Sequence, residues 1–195
     1  MAELEDIDLW RRSQAGDADA FSSLFDRHAN TIYGFCFRRT ADWALAEDLT
    51  SVVFLEAWRR RQDVDLDTRG TLPWLLGVAT NVVRNQERGL RRYRAALDRI
   101  PPLEPERDFA DGLAERLDAE ARMRSLLAEI RRLPQPEQDV LLLSWAGLSS
   151  SEIAAALNVA QGTVRTRLFR SRRRLDPVLR PTNERAAPQE GVNSR

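Results

Sequence analysis

Apolar residues recur at three- and four-residue intervals through most of the chain, the spacing of one face of an α-helix. Leu9, Trp10 and Ala15 begin the series, and Gly16-Asp17 marks a turn. Ala20, Phe21, Leu24, Phe25 and His28 carry the pattern on through Ile32, Tyr33, Phe35 and Phe37, where the aromatic rings read as core. Asp42 is placed to cap the next helix. There Leu45, Leu49, Val52, Val53 and Leu55 form the expected apolar side, and Glu47, Asp48, Thr50 and Glu56 the other. After a polar loop over 59–70, residues 72–94 give a long helix with Pro73 tolerable in its first turn. Trp74, Leu75, Val78, Ala79 and Val82 can face a core, leaving Asn81, Arg84, Asn85, Arg88, Arg91 and Arg92 on a basic side.

Pro101, Pro102 and Pro105, flanked by acids, then break the periodicity and mark a linker. Helical spacing returns with Leu113, Leu117, Ala121, Leu127, Ile130 and Leu133, and again with Val140, Leu141, Leu142 and Trp145 before Gly147. Residues 147–175 read as two short helices around a tight turn. Ser149 and Glu152 have capping-box spacing, Ile153, Ala154 and Leu157 form the stripe, and Asn158 is a credible left-handed stop. Val159 would plug the corner, and the following helix would bury Val164 and Leu168. Beyond Pro181 no apolar pattern remains, and the tail reads as disordered. The pattern as a whole predicts an all-α chain.

Charge sharpens this picture only locally. The formal net charge of the 195 residues is zero, and every basic residue is arginine. Yet Arg165, Arg167, Arg170, Arg172, Arg173 and Arg174 come with no acid between Gln161 and Leu175. A face serving solubility alone mixes signs, whereas an arginine-bearing helix braced by a short partner suits the major groove of DNA. There arginine can fork onto guanine and threonine can meet a phosphate or a thymine methyl. On the 72–94 helix, Trp74 beside arginines would suit an unpaired strand, since bases stack on rings; Trp74 as plain core is an equal reading.

Other chemistry finds little support. One cysteine, Cys36, and one histidine, His28, are too few for the usual zinc sets. No phosphate-binding glycine loop or nucleophile elbow occurs, and no cofactor is expected. The reading is of a protein that is not an enzyme. The acidic start lacks a secretory apolar stretch, and no apolar run is long enough to span a membrane; a cytoplasmic protein without membrane insertion is expected.

Five stretches in order carry a further signal: GDADAFSSLFDRHANTIYGF, AEDLTSVVFLEAWRR, PWLLGVATNVVRNQERGLRR, LPQPEQDVLLLSWAGLSSSEIAAALNV and GTVRTRLFRSRRRL. Together they resemble the extracytoplasmic-function (ECF) sigma factors of bacterial RNA polymerase. The resemblance implies a sigma-2-like domain over 1–95, a linker over 96–114, a sigma-4-like domain over 115–180 and a tail over 181–195. It implies that the helix carrying Glu47, Asp48, Ser51 and Glu56 meets the beta-prime clamp helices of core RNA polymerase. Ser51-Val52 stands where the family often has Gln-Glu. Trp74, Asn81, Arg84 and Arg88 would attend the melted −10 strand, with Asn81 at the pocket for a flipped base. Thr163, Arg165, Thr166, Arg167, Phe169, Arg170 and Arg173 would read the −35 element of promoter DNA, and this domain would dock on the beta flap. An anti-sigma factor is an expected partner. The two modules would be held apart on the proline-bearing tether, folding together when sequestered. The rival readings are a stand-alone helix-turn-helix repressor and a helical protein-binding adaptor.

Overall fold

A computed structural model describes residues 5–66, 70–97, 123 and 125–179. Most of the expected linker and all of the expected tail lie outside these residues, as do Leu113, Leu117 and Ala121. Among the described residues the chain is helical throughout. The helices are α1 (Asp6–Gln14), α2 (Ala18–Thr40), α3 (Trp43–Arg60), α4 (Thr71–Leu97), α5 (residues 125–132), α6 (Gln135–Trp145), α7 (Ser150–Leu157) and α8 (Gln161–Leu179).

Local chemistry sets the helix ends. Asp17 accepts from the Ala20 amide and Asp42 from the Leu45 amide, each satisfying one of the free donors at a helix start. The Ser149–Glu152 capping box opens α7, and Asn158, at φ 51°, closes it in the left-handed conformation. Ala41 takes φ 54° between α2 and α3, so the two helices double back and pack together.

The first half closes around two clusters. Leu9, Trp10, Ala20 and Leu24 hold α1 against α2, with Trp74 packed beside them. Ile32, Phe35, Val53, Leu76 and Val83 form the larger one, which continues without a break into Ile130, Leu141, Leu142, Ile153 and Val164 of the second half. The two modules therefore share one core and lie docked, not apart on a tether. Where α4 crosses α7, a Cβ on Gly77 would stand 3.2 Å from the Ala156 carbonyl oxygen; the bare glycine lets the helices approach this closely.

Several expected core positions lie elsewhere than the apolar pattern put them. Val52 is 41% and Leu55 56% exposed, while Thr50 is buried and donates to the Ala46 carbonyl at 2.7 Å. The buried stripe of α3 is Ala46, Leu49, Thr50, Val53, Phe54 and Ala57, rotated from the expected side because α2 and α4 approach it together. On α4 the expected Leu75, Val78 and Ala79 are buried, but Val83 is buried where Val82 was expected, and Val82 is only half-buried. Phe25 sits at the rim, 40% exposed, with its ring edge-on to Phe54 at 4.7 Å. Trp145 lies on the surface at the end of α6.

Candidate nucleic-acid and polymerase interfaces

The geometry of α8 follows from its spacing. Val164, Leu168, Ser171 and Leu175 fall on one side and are buried. Arg165, Thr166, Phe169, Arg170, Arg172 and Arg173 are consequently turned outward, and Thr163 and Arg167 are half-buried at the edges. Phe169 is 66% exposed, a large apolar ring amid guanidinium groups. Arg165 donates to Gln161 Oε1 at 3.2 Å, which lays its guanidinium along the first turn of the helix. The Thr166 hydroxyl donates to the Gly162 carbonyl at 3.0 Å, so its methyl and the oxygen lone pairs remain for a partner.

A groove of about 590 Å³ runs between α8 and the start of α7, lined by Ser149, Arg165, Phe169, Arg172 and Arg173 among others. The row of arginines is not all available. Arg174 pairs with Glu137 on α6 at 3.3 Å and braces α8 from behind.

On α4 the expected strand-facing residues separate. Asn81 and Arg88 are exposed, and Arg88 bonds to Asn85 one turn back. Trp74 is half-buried with its ring centroid 4.9 Å from that of Trp10. The Trp10 indole in turn donates to the Val64 carbonyl. Trp74 is thus part of the packing that fixes α1, with an edge bordering a small cleft beside Val64, Gly70 and Ala156. Arg84 is drawn the other way, donating through Nε to Asp139 Oδ2 at 3.1 Å on α6.

Around Asp139 lies a polar cluster that the sequence reading does not include. Arg39 donates from Nη1 to Asp139 Oδ1 at 2.7 Å, and from Nε and Nη2 to the two Glu87 oxygens at 2.7 and 3.2 Å. Gln135 donates to Glu87 Oε2 at 3.0 Å. The side chains of Arg39 and Asp139 are both 1% exposed. The available signal was Asp139 itself, a charge set directly before the apolar run Val140–Leu143. Buried charges need partners.

The outer face of α3 carries Glu47, Asp48 and Ser51, all exposed, with exposed Val52 and Leu55 following along the helix. Glu56 is half-buried and paired with Arg59 at 3.2 Å. Acidic groups and bared aliphatic residues thus share one exposed side of this helix.

Cys36 and His28 are structural. Cys36 is fully buried, and burial pushes its thiol up to about 12. His28 meets Asp6 Oδ2 through Nε2 at 2.5 Å and ties α1 to α2. Among the described residues no helix is long and apolar enough to cross a membrane.

Comparison with known proteins follows the division of the chain. The family model described as Sigma-70 region 2 matches residues 24–93, and that described as Sigma-70, region 4 matches residues 123–175. The chain is 34% identical over 169 residues to the RNA polymerase sigma factor CarQ of Myxococcus xanthus, covering 86% of this chain and 94% of that protein. It is also 34% identical over 177 residues to the ECF RNA polymerase sigma factor BldN of Streptomyces coelicolor, covering 89% of this chain but only 65% of BldN. Among solved structures, CnrH in complex with the cytosolic domain of CnrY shares the fold at a TM-score of 0.67 and 21% identity, over 89% of this chain and 96% of that one. The sigma factor RpoE of Bartonella quintana, crystallised with the anti-sigma factor NepR, shares it at 0.64 and 20%, over 82% and 96%. The region 2 match spans α4 and the α3 face, the region 4 match ends on the arginine helix, and the chain belongs to the ECF sigma factors of bacterial RNA polymerase.

Proposed function

We propose that the chain directs core RNA polymerase to promoters through three surfaces: α8 on the −35 duplex, α4 on the unpaired −10 strand, and the outer face of α3 on the beta-prime clamp helices. The observation that carries this reading is the face of α8. Arg165, Arg170 and Arg173 stand outward with Thr166 and Phe169 while the opposite side is sealed into the core. A helix so divided can enter the major groove without unfolding its support. Arg165 and Arg170 read base edges, and Arg172 and Arg173 add charge toward the phosphates. On α4, exposed Asn81 holds the edge of an extruded base, whose unstacking costs a few kcal/mol. Arg88 lies one to two turns on along the same helix, placed for the strand backbone. On α3, Glu47, Asp48 and Ser51 with the exposed Val52 and Leu55 meet the clamp helices. The second module docks on the beta flap.

The likeness in fold to a sigma factor solved with the anti-sigma factor NepR supports control of this chain by an anti-sigma factor covering these faces. In vitro transcription with core polymerase over a genomic promoter library tests the function. Start sites that share −35 and −10 elements are expected. Free protein that binds duplex tightly without polymerase, or leaves the transcripts of core enzyme unchanged, overturns the reading in favour of a repressor or an adaptor.

A further inference from the structure

We propose that Trp43 anchors the polymerase on this chain: its open indole face receives an arginine guanidinium from the clamp helices, with the Glu47 carboxylate one turn along as counter-ion. The inference rests on the reading of α3 as the polymerase-binding face and adds the contact that fixes the partner at the start of that helix.

Of the five tryptophans, Trp10 is buried, Trp74 packs against it, and Trp58 carries the Arg61 guanidinium 3.6 Å over its ring. Trp145 ends α6. Trp43 is 64% exposed, the most of the five. It is nevertheless held in place. The Phe37 ring lies against one face of the indole, with centroids 3.8 Å apart and planes within 19°, and the Tyr33 centroid, one turn back on α2, is 6.3 Å away at 24°. Ala41, at φ 54°, and the Asp42 cap on Leu45 set the corner between the helices, and the Asp42 amide donates to Thr40 Oγ1 at 3.3 Å. The ring is therefore presented already ordered, and a partner that covers it gives up little conformational freedom.

The charge beside the ring selects what covers it. Glu47 is four residues after Trp43, and side chains at that spacing on a helix are neighbours. Both are exposed, and Glu47 has no ion pair among the described residues. A guanidinium can lie flat on an indole while its N–H groups meet a carboxylate, whereas an ammonium has no plane to stack. The chain makes the aromatic half of this pairing once for itself, Arg61 on Trp58 near the far end of α3. Among the described residues no cation lies over Trp43, so the guanidinium comes from the partner. Trp43 begins the helix whose exposed side continues through Glu47, Asp48 and Ser51 to Leu55. That continuity assigns the ring to the same occupant, the clamp helices.

Photo-cross-linking locates the occupant. The full chain with p-benzoylphenylalanine in place of Trp43, irradiated with core polymerase, should cross-link to the clamp helices of the beta-prime subunit. A cross-link to another subunit, or none, overturns the contact. This arm keeps an aromatic ring against Phe37 and decides the matter even where Trp43→Ala unfolds the corner. Affinity of the labelled full chain for core polymerase, read by fluorescence anisotropy, then tests the chemistry. Trp43→Ala should weaken binding by about tenfold or more, and Trp43→Leu nearly as much. Trp43→Phe keeps a π face and should stay within about threefold of the unaltered chain. Leucine that binds as tightly as phenylalanine would show plain apolar burial and overturn the guanidinium. Asp48→Arg separates this inference from the reading beneath it. If that variant loses core polymerase while Trp43→Ala binds normally, the anchor alone fails; if both bind normally, the reading of α3 fails with it.

Discussion

Arg39 donates to Asp139 at 2.7 Å, joining two helices across one hundred residues of chain. Both side chains are buried, and Glu87 is a second counter-ion of Arg39. Desolvating such charges costs roughly what their attraction returns, and removing Asp139 strips Arg39 of one charged hydrogen bond while leaving it paired with Glu87. Asp139→Ala is expected to lower unfolding stability by about 1.5–3 kcal/mol in urea titration. Arg39→Met combined with Asp139→Leu should recover most of that loss. A double variant as unstable as the single one would show that the helices depend on the charges themselves.

Gly77 places a backbone-to-backbone approach in the middle of a helix. Alanine there would gain about 1 kcal/mol of helix propensity, yet its Cβ would press on the Ala156 carbonyl at 3.2 Å. Gly77→Leu cannot be accommodated by so small a shift. It should speed amide hydrogen exchange in α7 while leaving α2 and α3 protected; uniform protection would refute the tight crossing.

For the duplex interface, Arg165→Ala and Arg170→Ala are each expected to cost about 1–3 kcal/mol at the preferred −35 sequence. Binding of the polymerase complex, measured by fluorescence anisotropy on matched and scrambled duplexes, checks this. Equal losses on both duplexes would assign these arginines to phosphates. Affinity should fall steeply with added salt in every case.

Asn81 is exposed on α4 and outside the buried stripe. Asn81→Ala should leave the melting temperature unchanged and allow −35 binding, yet impair open-complex formation. Permanganate footprinting reads the difference, and normal melting by the variant would remove Asn81 from strand recognition.

Burial raises the Cys36 thiol to about 12, chiefly by desolvating the thiolate, against a smaller opposing hydrogen bond with Thr50. The folded state therefore holds the proton more tightly than the unfolded chain, whose thiol titrates near about 8.5. This contribution is complete below that pH and declines as pH rises toward the folded value. Native protein at pH 8 should not react with Ellman's reagent, and one thiol should appear on denaturation. Rapid labelling of native protein would contradict the burial.

Local signals in the sequence were enough for the helices and for the outward residues of α8. The turn at Gly16-Asp17, capping at Asp42 and Ser149, the stop at Asn158 and the inward spacing of Val164 and Leu168 depend on neighbours within a few residues, and each is found where the pattern put it. The five ordered stretches likewise sufficed to place the chain in its family. The inward spacing of Leu75, Val78 and Ala79 on α4 and of Leu49 and Val53 on α3 was likewise legible, but the full width of the buried arc was not, because a helix packed from two directions hides more than one apolar stripe reveals. Thr50 went in, and Val52 and Leu55 came out.

Docking of the two modules was decided by tertiary structure alone. Arg39, Arg84, Glu87 and Asp139 are ordinary surface letters in the sequence, interleaved with others of the same kind. They become one cluster, sealed at Arg39 and Asp139, only because α2, α4 and α6 converge, and a charge accepts burial only where partners from distant segments are brought to meet it.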